Sequence, residues 1–325
     1  MNDLKDVLNE IRRYRKFLVT THQNPDADAV SSALAAAFFL KSSGKTVQVL
    51  NEDGCPPWLE FLPGMSLFKR ADEIKRVDYE AAIVLDCGDL NRVGSVRKFI
   101  HEGRPLINID HHVTNDAFGS VNVVKPGASS TCEIIFDLLQ RAGHPLDKKL
   151  AILLYAGIMT DTGSFRYENT SAHSHAVAAK LVGFNFSPAE LYDRLFAGIP
   201  AADIKRFTDV VHGARLLDHN RIYCVSLPKK TVDGFSKSFD LKEKIFSFLR
   251  SMVGVEVVVI LTEINPREIR VNLRSGPRFD VAALAQKFEG GGHKRAAGCK
   301  IHGSLAGAEK TMCRAISQRL KGQSP

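Results

Sequence analysis

The sequence predicts an α/β protein in two parts. A parallel-sheet N-terminal domain is followed by a smaller α/β C-terminal domain, with a cleft between them for substrate. Three observations lead there. Short apolar runs alternate with helical patterns through the first half. Acidic or imidazole side chains stand directly after several of those runs. After Asp161 the character changes, with Ser187-Pro188 and Ile199-Pro200 leading into a basic, hairpin-like region.

In chain order, Met1 to Lys16 is charged and helix-like, without the apolar core of a signal peptide. Residues 17–21 (Phe-Leu-Val-Thr-Thr) read as a short buried strand, and a helix follows from Ala29 to Ser43, ending near Gly44. Thr46–Leu50, Ala81–Leu85 and Pro105–Ile109 read as further strands, with helices at Ser129–Ala142 and Lys148–Gly157. Strands alternating with helices predict a parallel sheet, and such sheets gather ligands at the carboxyl ends of their strands. From residue 214 the pattern is new. Arg221–Leu227 reads as a strand, and Glu256–Glu263 and Glu268–Arg274 form a hairpin around Asn265-Pro266-Arg267. Asp280 caps a short helix reaching Phe288, and the run from Gly290 to Gly298 follows. The expected domains are 1–187, a helical linker 188–213, and 214–325.

Composition narrows the class. The chain has 325 residues, 44% of them hydrophobic, enough for two cores. No run of about 18 apolar residues suggests a membrane span. The six cysteines, at 55, 87, 132, 224, 299 and 313, form no C-x-x-C pair. That argues against a zinc ribbon or a disulfide framework and for packing thiols in a reducing cytoplasm. The formal charge of +8 is uneven: residues 214–325 hold 20 Lys+Arg against 10 Asp+Glu, a balance of +10. A basic second half suits a polyanion.

The chemistry concentrates in four places: His22-Gln23-Asn24-Pro25-Asp26-Ala27-Asp28, Asp86, Asp110-His111-His112 and Asp161. Hard oxygen ligands with a few imidazoles suit two Mn²⁺ or Mg²⁺ ions, and two ions roughly 3.5–4 Å apart serve phosphoester hydrolysis. One division gives His22 and Asp26 to the first ion and Asp28, His111 and Asp161 to the second, with Asp86 bridging; spacing alone leaves it open. His112 could hold a phosphate oxygen and Asp110 could orient a neighbouring imidazole. Each residue by itself also has a structural reading, as a helix cap or a core histidine; the coincidence of all four elements argues for a site.

The order H-x-N-P-D-x-D, D, D-H-H, T-D-T-G resembles the DHH phosphoesterase superfamily, and Gly-Gly-Gly-His-Lys-Arg-Ala-Ala-Gly resembles the glycine-rich motif of the DHH-associated C-terminal domain. Together these motifs span residues 17–300. The resemblance implies that His22, Asp26, Asp28, Asp86, His111 and Asp161 ligate two Mn²⁺ ions and that His112 contacts the scissile phosphate. The chain departs from the common pattern at Ala27 and Ser31, where glycine is frequent; neither is a ligand position. It lacks the added domain of RecJ-like exonucleases, the Ser-Arg-Lys-Lys signature of family II pyrophosphatases, and the spans of membrane-bound cyclic-di-AMP phosphodiesterases. It is most similar to the compact nanoRNase/pAp phosphatases (NrnA-like).

In the second lobe, Gly291 and Gly292 would allow close approach of backbone to phosphate or base, with His293, Lys294, Arg274 and Ser275 beside them. Arg166 is a further candidate contact in the first lobe, followed by Asn169 and Thr170. The expected activity is metal-dependent hydrolysis of short oligoribonucleotides to 5′-mononucleotides and of 3′-phosphoadenosine 5′-phosphate (pAp) to AMP. The alternatives are turnover of cyclic or linear dinucleotides of adenosine, and a non-catalytic nucleotide-binding regulator. The sequence leaves the oligomeric state open, a homodimer among the options.

Overall fold

Two sheets organise the chain, each of six strands among the described residues. The structure is a computed structural model that describes residues 2–196, 198–236 and 239–321. Its contacts divide the chain into Met1–Ala197 and Gly198–Pro325.

The first unit opens with α1 (Leu4–Arg13), whose N-terminus is closed by a capping box between Asp3 and Asp6. Then come β1 (Lys16–Thr21), α2 (Ala27–Ser42), β2 (Thr46–Asn51), β3 (Phe68–Arg70), β4 (Ala81–Leu85), β5 (Leu106–Asp110) and β6 (Val121–Val124). The helices α3 (Thr131–Arg141), α4 (Lys148–Asp161), α5 (Ala172–Val182) and α6 (Pro188–Phe196) complete it. All strand pairs are parallel, in the order β3-β2-β1-β4-β5-β6. Strand alternation sorts the two faces. Phe17, Val19, Ile83, Leu85, Ile107 and Ile109 pack with the helices, while Leu18, Ala82, Val84 and Leu106 pack with Val93 and Val96 of the short 3₁₀ segment after β4. Helix α2 is apolar on every side and is buried accordingly. It starts at Ala27, two residues before its expected start, because the Asp26 side chain accepts the amide of Ala29 and caps it. Strands β3 and β6 are too short for a sequence pattern to reveal.

The second unit holds α7 (Ile204–His212), β7 (Arg215–Leu217), β8 (Ile222–Leu227), α8 (Lys229–Asp233), α9 (Leu241–Arg250), β9 (Val257–Asn265) and β10 (Glu268–Ser275). α10 (Ala282–Ala285), β11 (Gly291–His293), β12 (Ala296–His302) and α11 (Leu305–Lys321) follow. Its sheet is mixed, in the order β11-β12-β10-β9-β8-β7, with only β8 and β9 parallel. Tyr223, Val225, Val258 and Ile260 meet Phe207 of α7 and Ile245 and Leu249 of α9 on one face. Ile222, Cys224, Val259, Val271 and Leu273 meet Met312 and Ile316 of α11 on the other. The stretch 188–213, expected as a linker, is divided. Leu191 and Leu195 of α6 join the first core, and Phe207 of α7 joins a core of the second unit. The glycine run is not a free loop: Gly291–His293 and Ala296–His302 pair as antiparallel strands. A Cβ at Gly290 would fall 2.2 Å from the Gly298 carbonyl oxygen, and one at Gly292 (φ 137°) 2.5 Å from that of Ala296. Two of the glycines are therefore required by the pairing itself.

Gly157 lets α4 approach α3 and α2 closely. A Cβ there would lie 2.3 Å from the Cys132 sulfur and 2.5 Å from Asp28 Oδ1. Gly157→Ala should cost about 1–3 kcal/mol by overpacking, seen as a lower urea midpoint at unchanged slope. An unchanged midpoint would show that these helices can separate freely.

Candidate metal centre

Strands β1, β4 and β5 are neighbours, so whatever follows them is gathered at one sheet edge. His22 directly follows β1, Asp86 directly follows β4, and Asp110 is the last residue of β5. Asp86 adopts φ 52°, a left-handed turn that ends its strand. Asp26 and Asp28 come from the start of α2, and Asp161 from the end of α4.

The gathered groups are close. His111 Nε2 lies 3.0 Å from Asp161 and 3.5 Å from Asp86; His22 Nε2 lies 3.5 Å from the other Asp86 oxygen. Three trios each place one ligand atom per residue within 4.8 Å of the others: His22, Asp26 and Asp86; Asp28, Asp86 and His111; Asp86, Asp110 and His112. Asp86 belongs to all three. Asp28, Asp86, Asp110 and His111 are buried, whereas the Asp161 side chain is partly exposed.

The tautomers are set by backbone carbonyls. His22 Nδ1 donates to Gln23 O at 2.8 Å, and His111 Nδ1 to Ala128 O at 3.3 Å. In the neutral ring each Nε2 then turns a lone pair toward carboxylate oxygens. Acceptor faces acceptor, and only a proton or a cation resolves that contact. The donor set of carboxylates and imidazoles therefore fits divalent cations. The proton affinities carry the same mark. Burial, then the charges of Asp86 and Asp161, raise Asp28 well above the usual carboxylate range. Burial likewise raises Asp161, against its bond to His111. Burial alone would lower His111 and His22, but hydrogen bonds donated to Asp161 and Asp86 raise the first and one donated to Asp86 raises the second. Asp86 absorbs the compensation: burial opposes it, yet His111 and His22 hold it well below the ordinary value.

Some supporting residues carried no signal in the sequence. The amides of Thr131 and Cys132, at the start of α3, donate to the two Asp28 oxygens at 2.7 and 2.9 Å. The Thr131 hydroxyl donates to Asp86 at 3.1 Å. Asn51 holds the His22 carbonyl at 2.8 Å. Asp110 accepts from His112 Nδ1 at 2.7 Å and from Asn115 Nδ2 at 2.6 Å, and Asn108 steadies Asn115 at 2.9 Å. Against burial, the His112 charge and hydrogen bond bring Asp110 down to about 2. Asn115 went unread although it stands only three residues beyond the D-H-H run; the amides of α3 could not be seen from side-chain identities.

The remaining candidates are placed as follows. Arg166 donates Nε to the Gly163 carbonyl at 2.7 Å, and Asn169 holds the carbonyls of Ser129 and Asp161, so this loop frames the edge. In the second unit, Arg274 stands 4.8 Å over the Phe246 ring and 3.9 Å from Glu243. Ser275 was expected beside it, but strand alternation turns it to the opposite face, where it is buried and its hydroxyl donates to Phe279 O at 2.5 Å. Gly291 pairs with Gly298, Gly292 with Ala297 and His293 with Ala296, and Lys294 is exposed in the turn.

Residues 16–158 match the DHH family, N-terminal domain, and residues 238–322 match the DHHA1 domain. The bifunctional oligoribonuclease and PAP phosphatase NrnA of Thermus thermophilus is 31% identical over 304 residues, covering 93% of this chain and 89% of that protein. Its namesake in Bacillus subtilis is 28% identical over 301 residues, covering 91% and 93%. A crystal structure of an exopolyphosphatase-related protein from Bacteroides fragilis superposes with a TM-score of 0.87 at 24% identity, covering 98% and 97%, which speaks for the fold. The chain belongs to the DHH phosphoesterase superfamily, in its NrnA-like subfamily.

Cation binding should release protons, because the raised groups must give theirs up. Calorimetry in buffers of different ionisation heat should detect this near pH 7. The sign for stability follows. His22 and His111 have folded values above 6.5, so their contribution in the cation-free protein is whole below pH 6.5 and is lost as pH rises through the folded values. Chelation should therefore lower Tm more at pH 8.5 than at pH 6. An equal drop at both pH values would mean that cations do not replace protons here.

Proposed function

We propose that this protein is a binuclear-metal phosphodiesterase that hydrolyses short oligoribonucleotides to 5′-mononucleotides and pAp to AMP. The convergence on Asp86 of two ligand trios, with the His112–Asp110 pair beside them, is the observation that carries the reading. His22 and Asp26 would hold one cation, Asp28, His111 and Asp161 the other, and Asp86 both. Mn²⁺ is the preferred ion, since imidazole beside carboxylate suits it better than Mg²⁺. When bound, the cation pair supplies an activated water and neutralises charge on the transferring phosphoryl group.

The chain's own residues do the rest. Asp110 fixes the His112 ring through Nδ1, which makes Nε2 the nitrogen to offer a non-bridging phosphate oxygen. Asn115 fixes Asp110 in turn. The amides at the start of α3 keep Asp28 aimed. The second unit, with a balance of +10 over residues 214–325, would hold the nucleotide end through Arg274, His293, Lys294 and the backbone at Gly291 and Gly292. Among the described residues no helix is long and apolar enough to cross a membrane, and all six cysteines are free, which suits a reducing cytoplasm.

Incubation with Mn²⁺ and pAp, pApA, cyclic di-AMP, a five-nucleotide RNA and a long RNA tests the reading by kcat/KM. pAp and the short RNAs should lead. Dominance of cyclic di-AMP would move the protein to second-messenger turnover, and processive degradation of long RNA would overturn the substrate class. Asp86→Ala should lower kcat by about a hundredfold or more, since several kcal/mol of charge stabilisation would go with it.

His112→Ala should lower kcat by about 10²–10³ with bound metal unchanged. Asn115→Ala should have the same signature at about 10-fold. Metal analysis showing a lost ion in His112→Ala would reassign His112 as a ligand.

A further inference from the structure

The proposed reaction leaves one pair of cysteines in the second unit without a role. Ser226 of β8 donates to Glu309 of α11 at 2.7 Å. Two residues back along the strand is Cys224, and four residues on along the helix is Cys313. A strand rises about 3.3 Å per residue and a helix about 1.5 Å, so both steps advance about 6 Å. The directions agree. Leu217 and Asp218 of the adjoining antiparallel strand and its turn meet the later helix positions Ser317 and Lys321 around one pocket. Cys224 and Cys313 accordingly face each other inside the same apolar cluster. They are not equivalent. Cys224 is sealed in the sheet, whereas Cys313 also lines a pocket of about 560 Å³ with Arg215, Lys310 and Arg314. Arg215 pairs in register with Cys224 and forms an ion pair with Glu309.

We propose that Cys313 and Cys224 form a peroxide-responsive thiol pair, with Cys313 oxidised first and Cys224 closing an intramolecular disulfide. Of the charges lining the pocket beside Cys313, Arg215 favours the thiolate while Glu309, its ion-pair partner, opposes it. The proton affinities run the same way. Contact with Cys224, helped by Arg215 against burial and Glu309, lowers Cys313, while the same contact raises Cys224. Burial raises Cys132 and Cys299, and raises Cys55 and Cys87 to about 12, so Cys313 is the one thiol of the six displaced downward. In the first step the Cys313 thiolate attacks one oxygen of hydrogen peroxide, the O–O bond breaks, and the other oxygen leaves as hydroxide and is protonated to water. The product is a sulfenic acid at Cys313. The Cys224 sulfur then attacks that sulfur, the S–O bond breaks, and hydroxide departs with the Cys224 proton as water. Two thiols have given two electrons to one peroxide, which ends as two waters.

The test treats the full chain with hydrogen peroxide, alkylates the remaining thiols and digests with trypsin. Cleavage at lysine and arginine isolates 222–229 with Cys224 and 311–314 with Cys313. These peptides should appear linked, two hydrogens lighter than their sum, and separate on addition of dithiothreitol. In Cys224→Ser a dione probe for sulfenic acid should tag Cys313, and in Cys313→Ser it should leave Cys224 untagged. Recovery of both peptides alkylated, with no linked species in the unmutated chain, overturns the proposal whether or not the variants fold. Tagging of Cys224 in Cys313→Ser at equal yield overturns the order of oxidation.

Discussion

Carboxylates crowded at one sheet edge repel, and much of the first unit serves to hold them there. Asp28, Asp86 and Asp110 are all buried within a few residues of strand or helix ends. In a low-dielectric setting such groups would protonate or push the fold apart unless each found partners. The chain supplies different partners to each. Asp28 receives two amides from the start of α3, Asp86 two imidazoles and a hydroxyl, and Asp110 an imidazole and an amide side chain. What remains uncompensated is charge between the trios, the space in which a divalent cation is most favourable.

The candidate site was legible as a set of acidic and imidazole residues standing where apolar runs stop. His22, Asp86 and Asp110 could be placed by reading where apolar runs stop. The helix–strand alternation that defines the parallel sheet was equally plain. What could not be read lies in backbone groups and cross-chain contacts. The amides that hold Asp28 come from residues more than a hundred positions away. Edge strands such as β3 bury a single residue of three, too few to leave a period. Ser275 shows a different limit: it follows Arg274 in sequence, and the two-residue period of a strand turns their side chains to opposite faces.

The glycine run carries a related lesson. Its glycines invite a reading as a ligand cradle, yet Gly290 and Gly292 answer first to the close pairing of β11 with β12. A structural requirement and a binding role are compatible, since a hairpin stripped of side chains also presents bare backbone. Substitution there would strain the strand pairing before it touched any ligand, so loss of activity alone would not reveal a binding role.

Asp86 sits with φ 52°, a region that aspartate and asparagine enter more readily than most residues. Asparagine would keep the left-handed turn and the volume while removing one charge from the crowd. Because His111 and His22 hold the Asp86 carboxylate well below its ordinary value, the ionised residue also steadies the folded state, so durability and chemistry ask for the same side chain here. A laboratory selection for heat resistance would therefore keep aspartate here as firmly as a selection for turnover would, and an inert variant made to trap a bound nucleotide would come with a less durable fold.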